Sequence, residues 1–335
     1  LRKLVIFTDA WEPQINGVVT TLKTTKDILE KRGWVVTVIH PDLYKVTIPL
    51  QPSTGIYMPL FPYGLVEPEV LGATFIHIAT EGAIGVAARY ACKKHKKNYS
   101  TSFHTKYPEY AYAHAGIPPK ITWKWFKWFH KKSSSVMVTT PSMMDYAKEG
   151  GLKNLAIWSR GVDTDTFQPI FYNETREPNL ISTVYCGRIS VEKNLEEYLS
   201  IKDPLIKKTL IGDGPQLEEY KAKYPDATFL GRIDSQAMIA NELSKHDVFA
   251  WPSLTDTFGL VVLEGMACGL PVAAFDNDVN RYIIEDDKSG ILTQNSLTEA
   301  IYLASQLKRS DAVLRAKDFS WDTATNQFVR NLIPA

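Results

Sequence analysis

A two-domain α/β protein, in which two doubly wound, Rossmann-like domains face a central cleft, is predicted by three observations. Short apolar runs of strand length alternate with amphipathic helices, the pattern of parallel β-α-β units. The alternation pauses at a polar stretch from Gln168 to Asn179 that carries two prolines, and then restarts. At 335 residues the chain exceeds what one core usually supports, so two domains of roughly 150 residues are the default, and 44% hydrophobic residues can fill both cores. The expected division is 1–168, a linker 169–179, 180–317, and a terminal segment 318–335.

The elements follow in order. Leu4-Val5-Ile6-Phe7-Thr8 reads as a buried strand, Val18 to Lys31 as an amphipathic helix stopped by Gly33, and Val35 to Ile39 as the next strand. Further strands are expected at 75–78, 99–103, 136–139 and 155–158. After the linker they recur at 180–186, 208–211 and 228–230. Asp247 to Trp251 is a strand ended by Pro252, Leu260 to Ala267 a short helix ended by Cys268-Gly269, and Pro271 to Phe275 another strand. Phe319 to Leu332 has helical spacing.

Composition removes several classes. A net charge of +1 excludes a strongly basic nucleic-acid protein. Cys92, Cys186 and Cys268 have no metal spacing and are odd in number, which suits a reducing cytoplasm. No apolar run approaches the ~20 residues that span a bilayer, and the amino end has too short a run for a secretion signal. A cytoplasmic protein is expected, with any membrane contact peripheral, at the inner face.

The chemistry concentrates in Thr255-Asp256-Thr257-Phe258-Gly259-Leu260-Val261-Val262-Leu263-Glu264, where two carboxylates flank a Phe258-Gly259 pair between a strand and a helix. Such a loop lies at the carboxyl edge of a parallel sheet, where open α/β folds bind ligands. Backbone N–H groups at Gly259, Leu260 and Val261 would be free to meet a phosphate, and Glu264 would accept bonds from two ribose hydroxyls. A helix cap and a solvated acid are the plainer reading. Gly187-Arg188 follows a strand and Lys193 lies five residues on, so two cations can converge on one diphosphate. Asp213-Gly214-Pro215 is a turn after a strand, beside base or ribose or simply a turn; Arg232 and Ile233 can frame the base with backbone groups. In the first half, Asn16-Gly17-Val18 opens a helix whose free N–H groups can approach donor phosphates. Glu81 can bind acceptor hydroxyls or start a helix. Asp163-Thr164-Asp165 reads as a helix start, and no Asp-x-Asp metal motif stands in a suitable position.

The acidic segment resembles the paired-acid motif of retaining glycosyltransferase family 4, which has the GT-B fold, except that its usual first acid is Glu and here is Asp256. Six further segments agree in order: 11–18, 77–82, 103–105, 159–163, 187–194 and 211–215. The resemblance implies that Arg188 and Lys193 stabilise the leaving diphosphate and that Gly17 bends around donor phosphate. It also places His104 beside the transferred sugar, Asp256 toward the hexose, and the terminal helix back on the first domain. It further implies retention by front-face displacement without metal or other cofactor. The segment Ser159-Arg160-Gly161-Val162-Asp163 is most similar to α-mannosyltransferases, hence GDP-mannose as donor with UDP-hexoses as competitor. An epimerase or phosphorylase on a related scaffold and a non-catalytic sugar-nucleotide sensor are the alternatives. Asp276 to Asn280 departs from the family's Gly-rich loop.

Residues 120–132 are the most unusual in composition. As a helix they place Lys120, Lys124, Lys127 and Lys131 in one basic stripe flanked by Trp125 and Trp128. Two readings stay open: a helix lying on an anionic membrane, with a lipid or lipid-linked sugar as acceptor, or a helix packed into the first core by its aromatics.

Overall fold

The computed structural model describes every residue except 1, 15, 52–55, 171–178, 255, 257 and 285–286, and all side chains but those and 49–51, 56, 110 and 113–115. Ile15, most of the expected linker, Thr255 and Thr257 therefore lie outside the described residues. The chain forms two compact units, Leu1–Arg160 with Trp321–Ala335, and Gly161–Ser320.

The first unit runs β1 (Lys3–Phe7), α1 (Gly17–Lys31), β2 (Val35–Ile39), β3 (Thr47–Gln51), β4 (Ile56–Pro59), α2 (Tyr63–Gly72), β5 (Phe75–Ile78), α3 (Ala83–Lys94), β6 (Ser100–Phe103), α4 (Tyr107–Ala115), α5 (Pro119–His130), β7 (Ser135–Val138), α6 (Pro141–Glu149) and β8 (Leu155–Ile157). The second runs β9 (Ile181–Cys186), α7 (Leu195–Leu199), β10 (Ile206–Ile211), α8 (Leu217–Lys223), β11 (Thr228–Gly231), α9 (Gln236–Leu243), β12 (Val248–Trp251), α10 (Leu260–Ala267), β13 (Val272–Phe275), α11 (Asp278–Ile283), β14 (Gly290–Thr293), α12 (Leu297–Ala304) and α13 (Arg309–Lys317). Helix α14 (Trp321–Asn331) returns to the first unit.

Each unit is built on a parallel sheet, ordered β2-β1-β5-β6-β7-β8 and β11-β10-β9-β12-β13-β14. Both are Rossmann-like. The order reverses beside the first strand of each sheet, between β1 and β5 and between β9 and β12. Flanking helices diverge there and leave a crevice at the carboxyl ends. Strands covered on both faces need continuous apolar runs, and Leu4, Val5, Ile6 and Phe7 are all fully buried.

Two differences from the sequence reading have physical causes. The division falls at Arg160/Gly161 rather than after Gln168, because Val162 and Phe167 belong to the second unit's core and Val162 pairs with Ser320. The antiparallel β3–β4 hairpin has no signal of its own, since prolines at 49 and 59 break the residue preferences of strands.

Helix α14 is bound into the first core by Phe328, whose ring lies 4.9 Å from His77 and 4.6 Å from Trp158. Phe328→Ala should therefore cost about 3–5 kcal/mol. The readout is a lowered thermal midpoint for the first unit; an unchanged midpoint would mean that α14 carries no part of that core.

Candidate active site

In the second unit the groups converge where strand order reverses. After β9 the chain turns at Gly187, and its N–H donates to the Ile211 carbonyl at 2.9 Å while Ile189 N–H donates to Asp213 at 2.9 Å. Gly212 makes this backbone-to-backbone approach possible: at φ +143° its Cβ position lies 1.9 Å from the Gly187 carbonyl oxygen, so no side chain fits. Tyr185 Oη donates to the Arg188 carbonyl at 2.8 Å, fixing the main chain there while the guanidinium is exposed. Among the described residues that guanidinium has no hydrogen bond or ion pair.

Lys193 lies in a short 3-10 turn after β9, and its ammonium sits 2.8 Å from Asp256 Oδ1, on the loop after β12. Asp256 Oδ2 accepts from Ser253 Oγ at 2.7 Å, and the ammonium stands 5.3 Å from the Trp251 ring, itself stacked on Tyr185. Both Asp256 oxygens are thus engaged within the protein, and the shorter carboxylate orients Lys193. Arg188 and Lys193 both act electrostatically on Glu192 between them.

Helix α10 begins just after Gly259, whose φ of +81° suits glycine, and no side chain of the described residues caps this end. One turn in, Glu264 has no hydrogen-bond or ion-pair partner among the described residues, and burial raises its pKa to about 7. An unpartnered carboxyl in such a place has acceptor capacity that the protein leaves unused.

The remaining candidate residues take these places. Phe258 is only 4% exposed and packs against Tyr282 and Phe319, so its ring belongs to the core and only its backbone can meet a ligand. Leu260 and Val261 turn their side chains to the core, which leaves the reading of their backbone N–H groups unchanged. Arg232 pairs with Asp234 at 2.6 Å, Ile233 packs partly on the core, and Asp213 accepts from its neighbour Gly214 at 2.7 Å in an exposed turn. Asp163 starts no helix: its carboxylate closes a turn through the N–H groups of Asp165 and Thr166. The unusual 276–280 segment is an ordinary helix start, with Asn277 capping α11 and Arg281 2.6 Å from Asp276.

In the first unit, Asn16 Oδ1 accepts from Val18 and Val19 N–H, both at 3.0 Å. The side chain therefore satisfies two of the donors that the sequence offered to phosphate, because Asn is a strong cap. Gly17 occupies the first helical position. Asp9, which the sequence reading passed over, caps α3 through Ile84 at 2.9 Å and Gly85 at 3.4 Å, and Thr80 Oγ1 donates to it at 2.8 Å. Its position directly after β1 was the available signal. Burial raises its pKa against these bonds.

His104 follows β6 and meets Arg160, with Nδ1 2.7 Å from a guanidinium nitrogen. A guanidinium only donates, so Nδ1 accepts and the remaining proton is assigned to Nε2. Burial, then Arg160, hold the imidazole pKa well below its usual value, so the ring is neutral. Such a ring can give a hydrogen bond but does not exchange protons near neutrality. Arg160 is itself buried without a carboxylate among the described residues, and burial lowers its pKa to about 9. Glu81 lies between β5 and α3, with Oε1 3.3 Å from His130 Nε2.

Helix α5 has three faces. Thr122, Phe126, Phe129 and His130 are buried, Lys120, Lys124, Lys127 and Lys131 form an exposed stripe, and Trp125 and Trp128, each 44% exposed, form a third face with Ile121. The two indoles are therefore not core residues; the aromatics that fix the helix are the two phenylalanines. Arg89 from α3 holds the far end, donating to the Trp128 and Phe129 carbonyls at 2.9 Å and stacking 4.1 Å from the Trp128 ring.

Comparison with known proteins agrees with this architecture. Residues 15–166 match the family described as Glycosyltransferase Family 4 and residues 181–307 that described as Glycosyl transferases group 1. The chain thus carries a family 4 glycosyltransferase domain followed by a group 1 glycosyl transferase domain. It is 25% identical over 316 residues to a GDP-mannose-dependent alpha-mannosyltransferase of Mycolicibacterium smegmatis, covering 87% of this chain and 84% of that one. It is also 25% identical over 332 residues to an alpha-monoglucosyldiacylglycerol synthase of Streptococcus pneumoniae, covering 87% and 75%. Among solved structures, a sucrose-phosphate synthase from Thermosynechococcus elongatus shares the fold, with a TM-score of 0.73 at 18% identity over 98% of both chains.

The Glu264 environment has a consequence for stability. Its folded pKa, about 7, is raised above the ordinary 4.5, so its contribution is fully present below pH ~4.5 and is lost as pH rises through 7. Glu264→Gln removes that loss. The ligand-free variant should unfold at a higher temperature than the wild type at pH 8, by up to about 3 kcal/mol, and at nearly the same temperature at pH 4.5. An equal difference at both pH values would mean that the carboxyl is solvated.

Proposed function

We propose that this glycosyltransferase moves a hexose, with retention and without a metal ion, from a nucleoside-diphosphate sugar to a hydroxyl of a lipid or glycolipid. The observation that carries the reading is the cluster after β9 and β12: an exposed, unpaired Arg188, a Lys193 held by Asp256, and an unpartnered Glu264 one turn into α10. Glu264 accepts the two ribose hydroxyls, and charge-assisted bonds of this kind bring its carboxylate form back. N–H groups at the start of α10 meet the diphosphate. Arg188 and Lys193 neutralise charge as the diphosphate leaves, Lys193 held in advance by Asp256 and the Arg188 main chain by Tyr185. The acceptor hydroxyl attacks from the face the leaving group vacates, and the departing phosphate takes its proton.

GDP-mannose is the preferred donor, supported by the names of relatives that match along most of their length. His104 stands beside the transferred sugar, and Glu81 receives the acceptor. A lipid acceptor is supported by the exposed basic and indole faces of α5 and by relatives that make glycolipids. The protein meets anionic membranes peripherally; no described helix is long and apolar enough to cross one.

Arg188→Ala should lower kcat by about 100- to 1,000-fold with an unchanged thermal midpoint, because the guanidinium makes no bond among the described residues. Lys193→Ala should lower kcat comparably and the midpoint slightly, since Asp256 loses its partner. Turnover of GDP-mannose should persist in EDTA; activity that EDTA abolishes and magnesium restores would contradict the metal-free reaction.

Each lysine near an anionic surface contributes about 1 kcal/mol. The protein should therefore sediment with phosphatidylserine vesicles but not with phosphatidylcholine at low salt, and release them when Lys120, Lys124, Lys127 and Lys131 are all changed to Gln. A wild type that ignores anionic vesicles would favour a soluble acceptor.

A further inference from the structure

We infer that an open pocket beside α3 holds one acyl chain of the acceptor lipid, a role separate from the charged attachment of α5. The pocket, of about 620 Å³, is walled by Met58, Tyr63, Val86, Ala87, Tyr90 and Trp125. Its lining is almost wholly apolar. Tyr63 turns its hydroxyl away to Glu67 at 2.9 Å and its ring meets Tyr90 edge-on at 5.6 Å, so two aromatic faces bound the space. Among the described lining residues the one carboxylate is that of Glu81, which also stands 3.3 Å from His130 Nε2.

Three features select the occupant. A peptide or sugar in such a pocket would lose its hydration without gaining partners, whereas a hydrocarbon chain loses nothing polar. The wall at Trp125 continues onto the exposed Trp128 and Ile121 of the same helix, and Tyr90 is itself exposed at the rim, so the apolar surface opens outward rather than ending in the protein. The lysine stripe runs along the same helix beside those indoles and matches anionic headgroups in charge. A lipid drawn in with its chain against Val86 and Tyr90 would bring its hydroxylated headgroup to Glu81. This inference rests on the lipid-acceptor reading.

The test uses the whole protein and monoacylglycerols at concentrations below micelle formation. A decanoylglycerol carrying bromine on its chain should quench tryptophan fluorescence saturably, and Val86→Trp, which fills the pocket, should abolish the saturable component. The lysine-to-glutamine quadruple variant should retain it, and Val86→Trp should still sediment with anionic vesicles. Affinity of the wild type should rise about fourfold per methylene from butanoyl to decanoyl glycerol. That chain-length series needs no variant, so a misfolded Val86→Trp leaves the inference testable. A flat series, unsaturable quenching, or quenching that survives in a folded Val86→Trp overturns it. A wild-type dimer that Val86→Trp converts to monomer also overturns it and makes the pocket a subunit contact. Failure of vesicle binding with saturable quenching intact would strike the membrane reading and leave the pocket assigned.

Discussion

The reversal of strand order beside β9 governs the chemistry of the second unit. Connections from β9 and β12 leave adjacent strands in opposite directions, so their helices part and their first loop residues share one edge. Arg188 and Lys193 come from one of those loops and Asp256 from the other, and the Lys193–Asp256 pair at 2.8 Å ties them together. The pair is partly exposed, so its worth to folding is modest; its structural consequence is a lysine whose rotamer is set in advance. Close packing of Gly187 against Gly212 holds the same edge from β10, which makes the glycines part of the site although neither touches a ligand through a side chain.

Buried ionisable groups without opposite charges are the second theme. Glu264 and Arg160 both lose hydration on folding, and neither has an oppositely charged partner among the described residues. Arg160 recovers part of that loss from the Trp158 and Ser159 carbonyls, at 3.2 and 3.4 Å, and from His104. Glu264 recovers none from hydrogen bonds. Stability and function pull in opposite directions at such a residue, and a group kept at a folding cost is one that a ligand can reward. Lys208 shows the contrasting solution: at 3% exposed it is more deeply buried than Glu264, yet the Leu199 and Ile201 carbonyls and Asp226 surround its ammonium at 2.7 Å.

The strands were legible because both sheets are parallel and covered on each face, which leaves uninterrupted apolar runs. Loops after those strands were legible as positions for the same reason. What the sequence did not carry was the direction of individual side chains within the loops. Asn16 and Phe258 stand beside the glycines that open α1 and α10, yet Asn16 turns to its own helix and Phe258 to Tyr282 and Phe319. Local competition decides the first, since a short amide beside unpaired N–H groups closes on them. Tertiary packing decides the second, and the aromatic partners lie far along the chain. Asp9 was missed, and Arg160 was read only as part of a motif, because their partners, Thr80 with the start of α3 and His104, are distant in sequence.

Helix α5 shows why composition alone left two readings open. A helix rich in both lysine and aromatics can bury its rings or present them, and the outcome depends on which rings share the face of the small and apolar residues. Phe126, Phe129 and Thr122 recur at spacings of three and four, so they lie together, and Trp125 and Trp128 fall on another face. Arg89 then removes the remaining freedom, since it stacks on Trp128 while binding the carbonyls at the end of the helix. The same guanidinium thus caps the helix and braces an indole against solvent. An exposed indole braced in this way pays little further conformational entropy when it meets an apolar phase, which gives the aromatic face of α5 a physical advantage that a mobile surface tryptophan would lack.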